Sequence, residues 1–451
     1  MFGQTIAIAR NTFIESIRQP IFFVLVMAAG LMQIFNTLLS SYSMGYTEKT
    51  EVSGDDKMLL DMGLATVMVC ATLLAAFIAT SVVSREIENK TALTVISKPV
   101  GRPLFVLGKY LGVSASILVA GVIMLVFFLF AIRHAVMSTA RDTLDGPVLL
   151  FGSTAVLLAI ALGIWGNYFY GWVFSSTCIG AMLPLSILAY LLTQMMSKEW
   201  EWQSLATGFK PQVLLASGAV LLALMVLTSV AVACSTRLGQ VMTIVVCAGA
   251  FMLGLLSNHL LGRQAFDNKQ VAVVTDTGTH RLDTESMTKA GNWVILVLKN
   301  PPSPELKVGD PVYYGPNPSG VGLPVPPQGA FVGDAKNPAD VMRDGNGPAL
   351  VVRDIDPALN RYTLVNVGGL NISRLPEKGD YVFTRPTGGS VAARAAWAMI
   401  PNFQFFWLVD AITQGNAITS RYLGLLGFYS VAQIAAFLSL GVFLFQRRDV
   451  G

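Results

Sequence analysis

The sequence predicts an α-helical polytopic membrane protein of about eight transmembrane helices, six to eight being possible, with an inserted extracytoplasmic β-rich domain. Three observations lead there. First, the 451 residues are 53% apolar and 13% charged, with a mean hydropathy of +0.58, whereas globular domains carry about 25% charged residues. Too little polar surface remains to clothe two or three soluble domains. Second, the stretches 20–40, 62–83, 110–132, 148–171, 178–196, 211–234, 239–262 and 422–446 contain no Asp, Glu, Lys or Arg. Each is near the roughly 20 residues a helix needs to cross a hydrocarbon core of about 30 Å. Third, residues 263–393 hold 14 of the 21 prolines and 15 of the 41 glycines, with 13 basic and 13 acidic residues, the composition of a soluble domain.

At the N-terminus, Phe2, Ile6, Ala9, Phe13 and Ile17 fall on one face of a helix and Gln4, Asn11, Glu15 and Arg18 on another. This pattern fits a helix in the membrane interface, ended by Pro20 before the first span. A plain extension of that span is the other reading. No small-residue cleavage site follows the first apolar run, so it is read as an uncleaved span. The pair 148–171 and 178–196, separated by uncharged Trp172–Thr177, is either two spans or a re-entrant hairpin.

Orientation follows from basic residues in the short loops. With a cytoplasmic N-terminus, the segments 1–19, 84–109, 172–177, 235–238 and 447–451 are cytoplasmic and hold ten basic and four acidic residues. The opposite loops, 41–61, 133–147 and 197–210, hold six basic and nine acidic. Both termini are therefore expected in the cytoplasm. The net charge of +4 is topological and does not point to nucleic acid.

Three domains follow: a membrane domain over 1–262 with seven spans and a cytoplasmic loop at 84–109, the β-rich domain over 263–393, and 394–451. In the β-rich domain the runs 270–275, 293–298, 311–314, 349–353 and 362–367 are short, rich in β-branched residues and bounded by Gly, Pro or Asp. They read as strands of a small barrel or sandwich. Within 394–451, Trp397, Ile400, Phe403, Phe406, Trp407 and Leu408 make 394–420 an amphipathic segment, placed at the outer interface or against the β domain, before the last span. Cys70, Cys178, Cys234 and Cys247 all lie in or beside apolar spans, so the β domain does not rely on disulfides, and no spacing signals a metal site.

The loop at 84–109 is the most informative stretch. Ser84 is a candidate N-cap with Glu86 and Glu88 at the positive end of a helix dipole, and Pro99 and Pro103 stop the helix. Arg85-Glu86, Thr91-Ala-Leu-Thr-Val-Ile-Ser-Lys-Pro99, Arg102 and Gly108-Lys-Tyr-Leu-Gly112 resemble the cytoplasmic loop of ABC-2 type transporter permeases. Ser235-Thr-Arg-Leu238, Ile400–Trp407, Asp410 and Phe445-Gln-Arg-Arg-Asp449 are similar to the same family, particularly its multicopper-enzyme maturation branch.

The resemblance implies a permease subunit of an ATP-binding cassette exporter in a bacterial plasma (inner) membrane, with 84–97 as the coupling helix. Two permease subunits, identical or different, would work with two cytoplasmic ATPase subunits. It further implies an ATPase-facing set of Arg85, Glu86, Glu88, Lys90, Thr91, Lys98, Pro99 and Arg102. ATP would be held by the partner, and no cofactor or metal is expected in this chain. The nearest approach to a phosphate loop, Gly101 to Gly108-Lys109, has six residues between its glycines, and Tyr110 follows the lysine; a phosphate loop needs four and Ser or Thr. The chain is accordingly read as no enzyme. A membrane-integral hydrolase would need ionisable residues within the spans, which hold only Gln33, Asn36, Asn167, Gln194, Asn258, His259 and Gln433 as notable polar groups. A non-transporting scaffold acting through the β domain on extracytoplasmic partners is the alternative. The extra pair at 148–196 and the large β domain depart from the usual six-span pattern.

Overall fold

The computed structural model describes the chain apart from residues 1, 41–53, 85, 87–100, 137–142, 279–288, 321, 330, 343–347, 373, 414–417 and 447–451. The described residues fall into two compact units, 1–255 with 401–451, and 256–400.

The first unit is helical: α1 (Phe2–Ile17), α2 (Pro20–Ser40), α3 (Gly54–Ala79), α4 (Arg102–His134), α5 (Gly146–Tyr170), α6 (Phe174–Gln194), α7 (Pro211–Ser235), α8 (Gln240–Ser257) and α10 (Ser420–Gln446). Eight of these, all but α1, are long and apolar enough to cross a membrane, α3 and α8 with their continuations to Ser84 and Ala265. Pro20 is the first residue of α2; its ring fixes a helical φ and its missing N–H is not needed at a helix start, so α1 and α2 separate there.

α4 is the central helix, 33 residues long, packed by α1, α2, α3, α6, α7 and α10. Its large side chains sit over glycines of its neighbours. A Cβ on Gly30 would lie 2.9 Å from the Phe127 ring, and one on Gly63 would run into Phe128. Polar residues of the spans are spent between helices: Gln33 Nε2 donates to the Gly63 carbonyl at 3.0 Å and Asn36 Nδ2 to Thr66 Oγ1 at 3.1 Å. With no water to bind these groups, pairing across helices satisfies them.

α5 and α6 are two full spans. At the start of α6, Ser175 Oγ donates to the carbonyls of Ile17 and Gln19, both at 3.0 Å. Past its far end, the Met196 carbonyl accepts from Arg133 Nη2 at 3.0 Å. The helix therefore runs from the level where α2 begins to the level where α4 ends, which a re-entrant hairpin does not do. The tight turn between α5 and α6 requires Gly171, whose φ of +65° closes the α5 C-terminus.

The second unit is a β-barrel with flanking helical segments. Its strands are β1 (Ala272–Gly278), β2 (Trp293–Leu298), β3 (Tyr313–Gly315), β4 (Ala349–Asp356), β5 (Arg361–Val367) and β6 (Tyr381–Phe383), in the order β3-β6-β1-β2-β5-β4 with antiparallel neighbours. The ends of this sheet meet: Val312 N donates to the Leu350 carbonyl at 2.9 Å and Val352 N to the Asp310 carbonyl at 3.0 Å, with Pro311 opposite Val351. The barrel interior is filled by Val274, Val294, Leu296, Leu350, Val352, Leu364 and Phe383. On β4 and β5 the outer face is buried as well, Val351, Val365 and Val367 packing with Ala335 and Val341.

The 394–420 stretch is not one amphipathic helix. α9 (Val391–Met399) ends before Pro401, and Ile400 is extended at φ −90°, ψ 126°, the conformation imposed on a residue preceding proline. α9 packs on 258–266 within its own unit: Trp397 Nε1 donates to Asn258 Oδ1 at 3.2 Å, and the Arg394 guanidinium lies 5.0 Å from the Phe266 ring centre. A short 3-10 turn, Phe403–Phe406, and a short helix, Val409–Thr413, lead toward α10.

Candidate functional site

The residues that drew attention in the sequence flank the loop between α3 and α4. Arg85, Glu88, Lys90, Thr91, Lys98 and Pro99 lie outside the described residues. Glu86 and Arg102, the loop's two described members of that set, have separate and well-defined partners.

α3 continues past Ala79 as a π turn, Thr80–Ser84, a helical irregularity often found at functional sites. At its end Ser84 Oγ donates to the Leu238 carbonyl at 3.2 Å, which ties the loop entrance to the turn after α7. Gln19, between α1 and α2, donates to Ser81 Oγ in the same π turn. Two residues beyond Ser84, Glu86 Oε2 lies 2.7 Å from Lys109 Nζ. Lys109 is buried on α4, its side chain 5% exposed against 28% for Glu86, with its Nζ 5.6 Å from the Phe105 ring centre. A cation in that setting needs a counter-charge, because removing a partner from a buried pair leaves an uncompensated charge in low dielectric. The aromatic face adds a weaker attraction.

The loop exit is fastened differently. Arg102 Nη1 donates to the Gln446 carbonyl at the end of α10, at 2.8 Å, and its guanidinium stands 5.9 Å from the Phe445 ring centre. Phe445 in turn stacks on Phe105 of α4 with ring centres 5.6 Å apart. An arginine near a helix C-terminus supplies donors to carbonyls that have no intrahelical partner and complements the negative end of the dipole.

Gly108 and Gly112 seat α1. A Cβ on Gly108 would stand 2.8 Å from Ile8 Cγ2, and one on Gly112 2.5 Å from both the Ala9 carbonyl and Thr12 Cβ. Glycines four apart on a helix let a second backbone approach this closely. The α1 face that packs is thus Thr5, Ile8, Ala9, Thr12 and Ser16, with Thr12 and Ser16 fully buried and Ile6 51% exposed. Of the apolar stripe drawn from the sequence, Ala9 lies on this packed face and the exposed Ile6 does not.

The result is a hub in which both ends of the 85–101 loop are tied to α3, α4, α10 and the turn after α7, with α1 clamped across the start of α4. Among the described residues no group of three or more His, Cys, Asp or Glu is placed to hold a metal ion. Sequence reasoning singled out Glu86 and Arg102 as ATPase-facing and did not foresee the partners they have within the bundle. The Gly108–Gly112 spacing was a readable signal of close helix packing, whereas nothing local marks Lys109 as the partner of Glu86.

The sequence profile described as ABC-2 family transporter protein matches residues 6–277, more than half of the chain, and covers this hub except the start of α1 and the end of α10. The chain belongs to the ABC-2 transporter family. It is therefore an integral membrane permease component of an ABC transporter, a family that works in the bilayer with an ATP-hydrolysing partner. No curated protein and no solved structure matches the chain.

Proposed function

We propose that this ABC-2 permease is one of two membrane subunits, identical or different, of an exporter whose cytoplasmic ATPase docks on 84–97. The loop ends deliver the ATPase's movement to the bundle, Glu86 through Lys109 to the central helix and Arg102 to the end of α10. The observation that carries this reading is the 2.7 Å Glu86–Lys109 pair with Lys109 buried on α4, a rigid link from the loop into the helix that touches most of the others. Glu88, Lys90, Thr91 and Lys98 supply the polar surface for docking, and Arg85 and Pro99 shape the loop. The basic residues of the short loops support cytoplasmic termini and a barrel domain beyond the far face of a bacterial inner membrane.

Glu86 and Glu88 then have different duties, which separates docking from transmission. With the ATPase and permease reconstituted in vesicles, Glu88→Lys is expected to reduce ATPase co-purification. Glu86→Gln is expected to preserve co-purification but remove the permease's stimulation of ATP hydrolysis. The charge swap of Glu86→Lys with Lys109→Glu should restore part of it. Undiminished co-purification and stimulation in both single variants would overturn the assignment.

A further inference from the structure

The barrel stands on two legs, and one of them exposes an apolar face. Strands β1 and β6 are joined by the bond from Val271 N to the Val382 carbonyl at 2.7 Å, and their chains stay paired as far as Asp267 and Gly388, which exchange backbone hydrogen bonds of 3.2 and 3.1 Å. On one side the chain then meets Ala265, the last residue of the long apolar helix that begins as α8. On the other it enters α9 through Ser390, whose Oγ accepts from Ala393 N. Arg394 ties the legs together: its Nε donates to the Ala265 carbonyl at 3.0 Å and its Nη2 to the Gly388 carbonyl at 3.1 Å.

α9 runs antiparallel beside the end of that helix. Arg394 meets Ala265, while Trp397, one turn further along α9, donates to Asn258, about 10 Å back from the helix end. Past Pro401 the chain keeps to the same helix, Gln404 Nε2 donating to the Leu255 carbonyl at 2.7 Å. α9 thus lies beside the last turns of a membrane span, at the depth where the span's own Leu256 and Leu260 are exposed. At about 100° per residue, Val391, Ala392, Ala395, Ala396 and Met399 share an arc of about 140°, opposite Trp397. All five are exposed, Val391 at 81% and Met399 at 76%. The one charge of the helix, Arg394, lies off this arc and is committed to the two legs. A charge-free face at that depth continues the bilayer-facing surface of the span and suits the boundary between lipid head groups and acyl chains.

We infer that α9 is a foot seated in the bilayer: its Val391, Ala395 and Met399 face lies among lipids at the head-group boundary, so that the barrel is held to the membrane by both legs. The inference rests on the membrane-spanning fold and not on ATPase docking at 84–97, so either can fail alone.

The test uses the unaltered full chain in phosphatidylglycerol nanodiscs, with Met342 on the barrel, 62% exposed, as the internal reference. Hydroxyl-radical footprinting read by mass spectrometry should oxidise Met399 severalfold more slowly than Met342, although Met399 is the more exposed of the two in the chain itself. A trace of phosphatidylglycerol with a diazirine near the glycerol end of one acyl chain should label the peptide covering 391–399 and leave 349–367 unlabelled. Oxidation of Met399 as fast as Met342 would mean that the face meets water and would overturn the foot. Protection of Met399 without lipid label would mean that protein covers the face, a second copy or another segment of the chain, and would overturn it as well.

Discussion

The helical bundle and the β-barrel are built from one chain by opposite rules. In the bundle the closest packing is made by glycines: Gly63 under Phe128, Gly30 under Phe127, Gly108 and Gly112 under α1. Side-chain amides such as Gln33 and Asn36 cross between helices. In the barrel the core is branched aliphatic and aromatic, with Val352, Leu350, Leu364 and Phe383 all fully buried, and the buried Asn366 amide bonds the nearby Leu370 backbone. The reason is the solvent. Against lipid, burying a leucine gains little, so shape and hydrogen bonding decide which helices touch. Against water, each buried apolar side chain contributes about 1.5–3 kcal/mol, and area decides.

The largest expected effect breaks the barrel. Leu364→Asp places an unpaired charge in its interior, and an uncompensated buried charge costs on the order of 3–5 kcal/mol. Limited trypsin digestion of the full chain should cut freely within 266–390, while far-ultraviolet circular dichroism keeps the helical signal of the spans. Loss of that helical signal as well would show that the two packing rules are not separable.

A smaller effect tests the bundle's rule. Gly112→Leu forces α1 off α4, and overpacking of this kind typically costs about 1–3 kcal/mol. A cysteine at Ile8→Cys, shielded by the Gly108 contact, should become labelled by a membrane-impermeant maleimide only when Gly112→Leu is also present. Unchanged labelling would mean that the glycine notch is not what holds α1.

The smallest effect concerns the barrel surface. The Lys336 ammonium, 3.0 Å from Asp354, holds that carboxyl below its ordinary value of 3.8. A depressed folded value means the contribution is present above pH 3.8 and fades as pH falls through the lower folded value. Both groups are largely exposed, so the effect is small. Limited pepsin digestion of the full chain around 336–356 should increase slightly as pH drops from about 4.5 to about 3, and Asp354→Asn should remove that pH dependence.

Much of this architecture is readable from the residues alone, for physical reasons. Spans announce themselves because a charge inside hydrocarbon is costly, and each of the eight charge-free runs falls on a long apolar helix, overrunning its end by two residues at most. Strands β1 to β5 overlap the five β-branched runs. β6 escaped because Tyr381-Val-Phe383 is too short to establish an alternation, and the closure through Asp310–Val312 escaped because pairing between distant segments leaves no local trace. The hub was half legible. Glu86 and Arg102 stood out by motif, but Lys109 follows Glu86 by 23 residues and looked like a flanking charge of the next span. The face by which α1 packs on α4 was not legible, because apolar periodicity reports where a helix meets lipid as readily as where it meets protein.

Closure of the barrel has a further consequence. An open sheet has a row of backbone donors and acceptors along each edge, and an extended peptide can bind there by becoming one more strand, whatever its sequence. Here β4 and the segment leading into β3, residues 309–312, have used those groups on each other. Whatever meets this domain must recognise side chains and loops, so its choice of partner is written in surface chemistry and not lent by the backbone.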